Sequence, residues 1–246
     1  MSLFLIACTS STVQPSKILV AAAASLQKSL QEITPLYNQT HPNQTVTYNF
    51  AASGALAQQI SQGAPVDVFI SAATKQMREL EAQGLLLSGS QRDLLTNQLV
   101  LITPKQSSVT VRDFLDLTKP EVKRIAIGQP LSVPAGQYAT EVLQNLKILP
   151  QVQSKLVLGN SVKSVLATVE TGDVEAGMVY ITDAQISDKV TVVATAEPKL
   201  HAPIRYPMAV IRSSKSLSQA QQYIEFLQTA SAKAVFRKYG FGIGKS

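Results

Sequence analysis

Four short stretches of the chain place small, glycine or hydroxyl residues where a helix is predicted to start, and none of them contains an acidic side chain. They are Ala24-Ser25-Leu26, Ala52-Ser53-Gly54-Ala55, Pro134-Ala135-Gly136-Gln137 and Asn160-Ser161-Val162-Lys163. The first backbone N–H groups of a helix have no acceptor within the helix, and the aligned peptide dipoles place about half a positive charge there. A helix start whose side chains leave space can therefore bind an anion.

Each of these stretches also has an ordinary structural explanation. Serine is favoured at the N-cap of a helix, and Ser25 is predicted to be the N-cap of the helix that follows it. Gly54 can serve a turn, and Pro134 suits the first position of a helix. The ligand-binding interpretation depends on there being four such helix starts and on where they lie. Two of them precede residue 97 and two follow it.

The elements that position these stretches alternate between strand and helix from residue 17 onward. Short apolar runs predict strands at 17–23, 45–50, 66–70, 98–103, 124–128, 155–158, 176–181, 190–194 and 204–211. Helical spacing predicts helices after Ser25, around Leu56 and Ile60, around Met77 and Leu80, and over 136–147, 162–171 and 217–238. This rhythm is typical of an α/β protein whose mostly parallel sheets are flanked by helices.

The helical pattern lapses between 84 and 98 and again between 182 and 204, which predicts two crossings between two lobes. Lobe 1 is then 17–96 plus 204–246, and lobe 2 is 97–203. Ligands of parallel α/β sheets bind at the carboxyl ends of the strands, where the helices start. The four helix starts, two from each lobe, are therefore expected to hold an anion in the cleft between the lobes.

Composition excludes several other classes of protein and site. The 246 residues are 45% apolar and 15% charged, with 22 Lys and Arg against 16 Asp and Glu, a net charge of +6. The basic residues are scattered, aromatics are only 6% and Trp is absent, so nucleic-acid binding is not predicted. One cysteine and two histidines exclude an intramolecular disulfide and a Cys/His zinc site. No cofactor is predicted, and no metal coordinated directly by side chains.

The N-terminus predicts a processing segment. An apolar run ends in Leu5-Ile6-Ala7-Cys8 and is followed by small polar residues. This pattern resembles a bacterial lipoprotein signal, in which the chain is cut before the cysteine and the cysteine sulfur is lipidated, although here no Lys or Arg precedes the run. Residues 1–16 are expected to be a signal remnant and tether. The protein would then be periplasmic or extracytoplasmic, held at the membrane only through Cys8.

Six blocks of sequence together resemble the periplasmic molybdate-binding protein family. They are AAAASL at 21–26, FAASGALAQQI at 50–60, GAPVDVFISA at 63–72, VPAGQYA at 133–139, GMVYITDA at 177–184 and FRKYGF at 236–241. The blocks keep the order and spacing of the family over residues 17–242. The resemblance implies the class II periplasmic-binding-protein fold, with two lobes closing on a tetrahedral oxyanion that is delivered to an ABC transporter permease. A monomer is expected.

The family motifs imply five oxyanion ligands. Ser25 and Ser53 would each offer a hydroxyl and a backbone N–H, Ala135 and Val162 would each offer a backbone N–H, and Tyr180 would offer its phenol. The stretch around Val162 matches the family less closely than the other blocks. Without the family, Tyr180 would be an ordinary strand tyrosine, and Ala135 and Val162 would be unremarkable apolar positions.

The implied ligand is molybdate or tungstate. A fully deprotonated tetrahedral dianion only accepts hydrogen bonds, and it matches a pocket made of N–H and O–H donors. Hydrogen phosphate carries a proton that needs an acceptor, and sulfate differs in size because S–O bonds are shorter. The sequence does not separate molybdate from tungstate, and sulfate or another tetrahedral oxyanion is the second candidate cargo.

Two hypotheses outside transport are an enzyme and a purely structural surface lipoprotein. Ser25 or Ser53 could act as a nucleophile, but neither lies in a Gly-x-Ser-x-Gly turn. His41 and His201 lie outside every block, so neither supplies a convincing general base. The protein is therefore predicted not to be an enzyme.

Overall fold

The computed structural model describes residues 16–244. The predicted lipidation site Cys8 and nearly all of the predicted tether lie outside the described residues. The strands are β1 Ser16–Ala23, β2 Gln44–Ala51, β3 Val68–Ile70, β4 Arg92–Thr96, β5 Leu99–Pro104, β6 Ile125–Gly128, β7 Leu156–Gly159, β8 Ala176–Tyr180, β9 Val190–Thr195, β10 Arg205–Val210 and β11 Gly242–Ile243.

Helices connect most of these strands. The α-helices are α1 Gln27–Thr40, α2 Ser53–Ser61, α3 Thr74–Ala82, α4 Pro134–Asn145, α5 Leu149–Val152, α6 Val162–Glu170, α7 Ile181–Ala184, α8 Leu217–Phe226 and α9 Ala230–Lys238. Short 3₁₀ turns lie at Ala24–Leu26, Leu115–Thr118, Gln153–Lys155 and Pro198–Leu200. Within 16–244 the helices are all too short or too polar to cross a bilayer.

The strands form two sheets, which confirms the predicted two-lobe α/β fold. The first lobe is built on a six-stranded sheet of order β11-β4-β10-β3-β1-β2, and the second on a five-stranded sheet of order β7-β6-β8-β5-β9. Both sheets are mixed rather than mostly parallel, because β10 runs antiparallel to β3 and β4, and β5 runs antiparallel to β8 and β9. Each of these two strands follows a crossing of the chain from the other lobe.

Several local predictions differ from the structure, and the short helices α5 and α7 were not predicted. Strands β4 and β11 were not predicted, and the single helix predicted over 217–238 is two helices, with Thr229 capping α9 by accepting a hydrogen bond from the Ala232 N–H. Ser25 is not a helix N-cap, because it lies inside the 3₁₀ turn and makes no capping hydrogen bond. Its hydroxyl bonds to Tyr206 instead.

Burial on both faces of the first sheet fixes where its strands end. Along β1, Val20 and Ala22 pack into the main core, whereas Ala21 points to the other face, against Leu56 of α2 and Phe69 of β3. A shift of β1 by one residue would exchange these two faces. The register therefore holds the carboxyl end of β1, and the turn that follows it, in one place.

Candidate functional site

All five predicted ligands line one cavity between the two lobes. The residues from the first lobe follow the carboxyl ends of β1, β2 and β3, and those from the second lie at or after the carboxyl ends of β6, β7 and β8. The lining consists of Ala23, Ala24, Ser25, Ala51, Ala52, Ser53, Ala72, Val133, Pro134, Ala135, Val162 and Tyr180. Strand ends from both sheets thus converge on a single space, as expected for ligand sites of α/β folds.

The cavity is small. It contains about 220 Å³ of space between protein atoms, part of it open to solvent. Its lining comes from strand ends of both lobes, so the two lobes face each other across it. A ligand of a few atoms would contact both lobes at once.

The Ser53 hydroxyl is oriented by a neighbouring backbone group. Ser53 is the first residue of α2 and is fully buried. Its Oγ accepts a hydrogen bond of 2.9 Å from the N–H of Ala72, which follows β3. Because the oxygen is already an acceptor, the hydroxyl hydrogen remains available for donation to a ligand.

The Ser25 hydroxyl lies next to a buried tyrosine. Ser25 is 8% exposed, and its Oγ is 3.0 Å from the phenol oxygen of Tyr206 on β10. Burial is the largest cause that raises the pKa of Tyr206 well above its usual value. Tyr206 is therefore a neutral phenol that can both donate and accept a hydrogen bond.

Two residues of the second lobe that line the cavity, Ala135 and Val162, lie at helix starts. Pro134 opens α4, so the N–H of Ala135 is the first donor of that helix and has no acceptor within it. Val162 opens α6 after the N-cap Ser161, whose Oγ accepts from the Ser164 N–H. This capping box satisfies a later N–H and leaves the Val162 N–H at the helix entrance. No acidic residue lies in the first turn of either helix.

Tyr180 brings a phenol to the cavity from the end of β8. Its side chain is buried, and burial, followed by the neighbouring Tyr206, raises the Tyr180 pKa well above its usual value. The Tyr180 hydroxyl donates across the cleft to the Ala72 carbonyl at 3.4 Å, longer than a typical O–H···O bond. A neutral phenol in this position can donate to an anion.

The nearest cation by sequence, Lys163, is engaged by a buried carboxylate. Its Nζ lies 3.0 Å from Oδ1 of Asp183, a residue with no exposed side-chain surface. Burial raises the pKa of Asp183, and Lys163 opposes that shift. Neither residue lines the cavity, so the lining carries hydrogen-bond donors without a formal charge.

The two lobes touch directly beside the cavity. The Gly54 N–H, in the first turn of α2, donates to the Ser132 carbonyl of the second lobe at 2.9 Å. A Cβ atom at position 54 would lie 2.6 Å from the Ser132 oxygen and 2.7 Å from its Cα atom. Only glycine permits this close approach. The sequence suggested only that Gly54 serves a turn, whereas the structure places it at the contact between the lobes.

Other residues of the site were not found from the sequence. Ala72 contributes its N–H to Ser53 and its carbonyl to Tyr180, and a backbone role leaves no side-chain signal. Tyr206 falls inside a predicted strand, and Asn97 falls where the helical pattern lapses. Their shared position behind Ser25 depends on how β10 pairs with β3 and β4, which the sequence does not reveal.

Comparison with known proteins gives a consistent result. The family model described as bacterial extracellular solute-binding protein matches residues 18–242. The Bacillus subtilis lipoprotein YvgL, which bears the name of an ABC transporter substrate-binding protein, is 42% identical over 90% of this chain and 85% of its own length. The molybdate-binding protein ModA of Haemophilus influenzae is 35% identical over 92% of this chain and 90% of its own.

A solved structure extends this likeness to three dimensions. The substrate-binding domain assigned to a molybdenum ABC transporter from Clostridium difficile is 43% identical, with a TM-score of 0.72. The match covers 94% of this chain and all of that domain. The family resemblance predicted from the six sequence blocks is confirmed by these comparisons.

Proposed function

The chain belongs to the bacterial extracellular solute-binding protein family, and on this premise we propose that it captures molybdate and delivers it to the permease of an ABC transporter. The observation that carries the proposal is the convergence of Ser25, Ser53, Ala135, Val162 and Tyr180 on one cavity between the lobes. We propose these five residues as the oxyanion ligands.

The chemistry of the lining favours a fully deprotonated tetrahedral dianion. Two hydroxyls, one phenol and the N–H groups of two helix starts supply donors, and among the described residues no carboxylate lines the cavity. Molybdate and tungstate accept hydrogen bonds only, so every oxygen finds a donor. Hydrogen phosphate would leave its own proton without an acceptor, which costs about 1–3 kcal/mol for an unpaired buried group.

Lobe closure would couple binding to recognition by the transporter. The first lobe supplies Ser25 and Ser53, and the second supplies Ala135, Val162 and Tyr180. An oxyanion completes its hydrogen bonds only when both sets are close, so it shifts the population towards the closed form. We propose lobe boundaries of 17–96 plus 204–246 and 97–203, which the division of strands between the two sheets supports.

Calorimetric titration with several oxyanions tests the proposed cargo. We expect molybdate and tungstate to bind with similar affinity, and sulfate to bind much more weakly because its S–O bonds are too short to reach all donors. Hydrogen phosphate is expected to bind about 5- to 150-fold more weakly than molybdate. Binding of sulfate as tight as that of molybdate would replace molybdate with sulfate as the proposed cargo.

A binding role, rather than catalysis, also fits the surroundings of the two serines. Their hydroxyls bond to Tyr206 and to the Ala72 N–H. His41 bonds to Thr40, and His201 bonds to the Ala202 carbonyl. Neither histidine lines the cavity, so a serine there would lack a histidine base. We propose that the protein is a monomeric binding protein without enzymatic activity.

We further propose that Cys8 is lipidated and tethers the protein outside the cytoplasm. The sequence pattern before Cys8 supports this, as does the name of the lipoprotein YvgL among the relatives. Expression of the full-length gene with Cys8→Ser is expected to release the protein from the membrane fraction, with its molybdate affinity unchanged. Equal membrane association of the variant and the wild-type protein would refute the anchor.

A further inference from the structure

A chain of hydrogen bonds runs from the connection between the lobes to the cavity. Asn97 lies between β4 and β5, at the point where the chain passes from the first lobe to the second. Its Nδ2 donates to the phenol oxygen of Tyr206 at 3.1 Å, and that oxygen is 3.0 Å from Oγ of Ser25. The same Nδ2 also donates to Oγ1 of Thr182 at 2.9 Å. Asn97, Tyr206 and Thr182, which are not among the proposed oxyanion-binding residues, are thus linked to Ser25, which is.

The direction of this chain is fixed at its starting point. Oδ1 of Asn97 accepts from the Gln98 N–H at 2.9 Å, so the amide oxygen must lie on that side. The amide nitrogen therefore faces Tyr206 and Thr182, and an amide nitrogen only donates. Tyr206 therefore accepts from Asn97, and the Ser25 Oγ at 3.0 Å is within reach of the phenol's own hydrogen.

We propose that Asn97 and Tyr206 form a hydrogen-bond relay. The relay orients the Ser25 hydroxyl so that it donates its hydrogen into the cavity. The Ser25 Oγ accepts the hydrogen of Tyr206, so its own hydrogen is directed away from Tyr206 and into the cavity. Asn97 and Tyr206 are positioning residues, because neither lines the cavity. The proposal rests on the proposed function, since it explains how one of its ligands is oriented.

Ser53 is oriented in the same way by a different group. The Ala72 N–H can only donate, and it occupies an acceptor position on the Ser53 Oγ. A hydroxyl can donate one hydrogen bond and accept two. On each serine one acceptor position is already filled within the protein, which favours donation of its hydrogen into the cavity. The relay would therefore contribute to discrimination against protonated oxyanions, which need an acceptor in the cavity.

A double-mutant cycle separates the relay from a general structural effect of Tyr206. Tyr206→Phe keeps the ring that packs against Tyr180 and Phe241 and removes only the hydroxyl. We expect it to weaken molybdate binding about 3- to 10-fold in the wild-type background. In a Ser25→Ala background, where the relay has no end point, the same change should alter the affinity less than about twofold.

Tyr223→Phe is the matched control. Tyr223 is also a fully buried tyrosine of the first lobe, and its hydroxyl bonds to that of Tyr48 at 2.9 Å, away from the cavity. Its loss should lower thermal stability without changing molybdate affinity. An equal loss of affinity from Tyr206→Phe in both backgrounds would overturn the relay.

Asn97→Asp provides a second route if Tyr206→Phe fails to fold. A carboxylate at position 97 can only accept, so Tyr206 would donate to it and no longer to Ser25. The added charge weakens anion binding in both backgrounds, and the relay predicts an additional loss only where Ser25 is present. Equal losses with and without Ser25 would contradict the relay, whereas absence of molybdate binding by the wild-type protein would instead refute the proposed function.

Discussion

Replacing Gly54 with alanine is expected to weaken molybdate binding by about 5- to 150-fold, while the unliganded protein stays at least as stable as the wild type. A Cβ atom at this position meets the backbone of Ser132 at 2.6–2.7 Å. Overpacking of this kind costs about 1–3 kcal/mol, and the cost applies only when the lobes are together. The substitution therefore destabilises the closed form, and this is the form in which donors from both lobes surround the anion.

Stability of the unliganded Gly54→Ala protein distinguishes this effect from misfolding. The three nearest atoms to the added Cβ all belong to Ser132 of the other lobe, so separation of the lobes relieves the clash. Alanine is also a better helix former than glycine by about 1 kcal/mol, and position 54 lies in the first turn of α2. The melting temperature without ligand should therefore not fall.

Gly63→Ala is a control that should lower stability without changing molybdate affinity. Gly63 follows the same helix with a φ of +87°, and beyond Gly63 itself and its chain neighbours no described atom lies within 4 Å of the position that its Cβ atom would take. Alanine is strained at a positive φ, so this variant should lose about 1 kcal/mol of stability or more and keep its molybdate affinity. Wild-type affinity in Gly54→Ala, together with a normal ligand-induced decrease in scattering radius, would contradict the role assigned to the Gly54–Ser132 contact.

Ser53→Ala is expected to weaken molybdate binding by about 10- to 100-fold. The variant removes a donor to a charged ligand, a hydrogen bond worth about 1.5–3 kcal/mol. It also leaves the buried Ala72 N–H without its acceptor, so some loss of thermal stability accompanies the loss of affinity. Calorimetry gives the affinity, and thermal unfolding without ligand gives the stability.

Ser90→Ala separates these two effects. Ser90 is also buried in the first lobe, and its Oγ likewise accepts a backbone N–H, that of Val210 at 3.1 Å. Ser90 does not line the cavity. Its replacement should lower stability by a similar amount and leave molybdate affinity unchanged. Unchanged affinity in Ser53→Ala would remove Ser53 from the proposed ligand set.

The sequence predicted most of the scaffold because its strands are apolar runs separated by helical spacing. The nine predicted strands all occur in the described residues, and the five proposed ligands meet at one cavity. The mixed direction of the sheets was not predicted, because β5 and β10 are apolar runs like the strands that pair in parallel elsewhere in the two sheets. Residue type alone does not indicate the side from which a strand enters its sheet.

Contacts between distant segments explain the remaining differences at the site. Ser25 has the residue type of an N-cap, yet its hydroxyl bonds to Tyr206, 181 positions later in the chain. Gly54 has the residue type of a turn, yet its approach to Ser132 of the other lobe requires the missing side chain. In both cases the local pattern is ambiguous, and the partner that decides the role is brought close only by the tertiary fold.

Anomalous scattering from a crystal of the protein with molybdate would locate the bound anion. We expect one molybdenum peak, in the cavity between the lobes. The hydroxyls of Ser25 and Ser53, the N–H groups of Ala135 and Val162 and the phenol of Tyr180 should all lie within hydrogen-bond distance of its oxygens. A peak elsewhere, or a molybdate held by lysine or arginine side chains, would contradict the proposed oxyanion site.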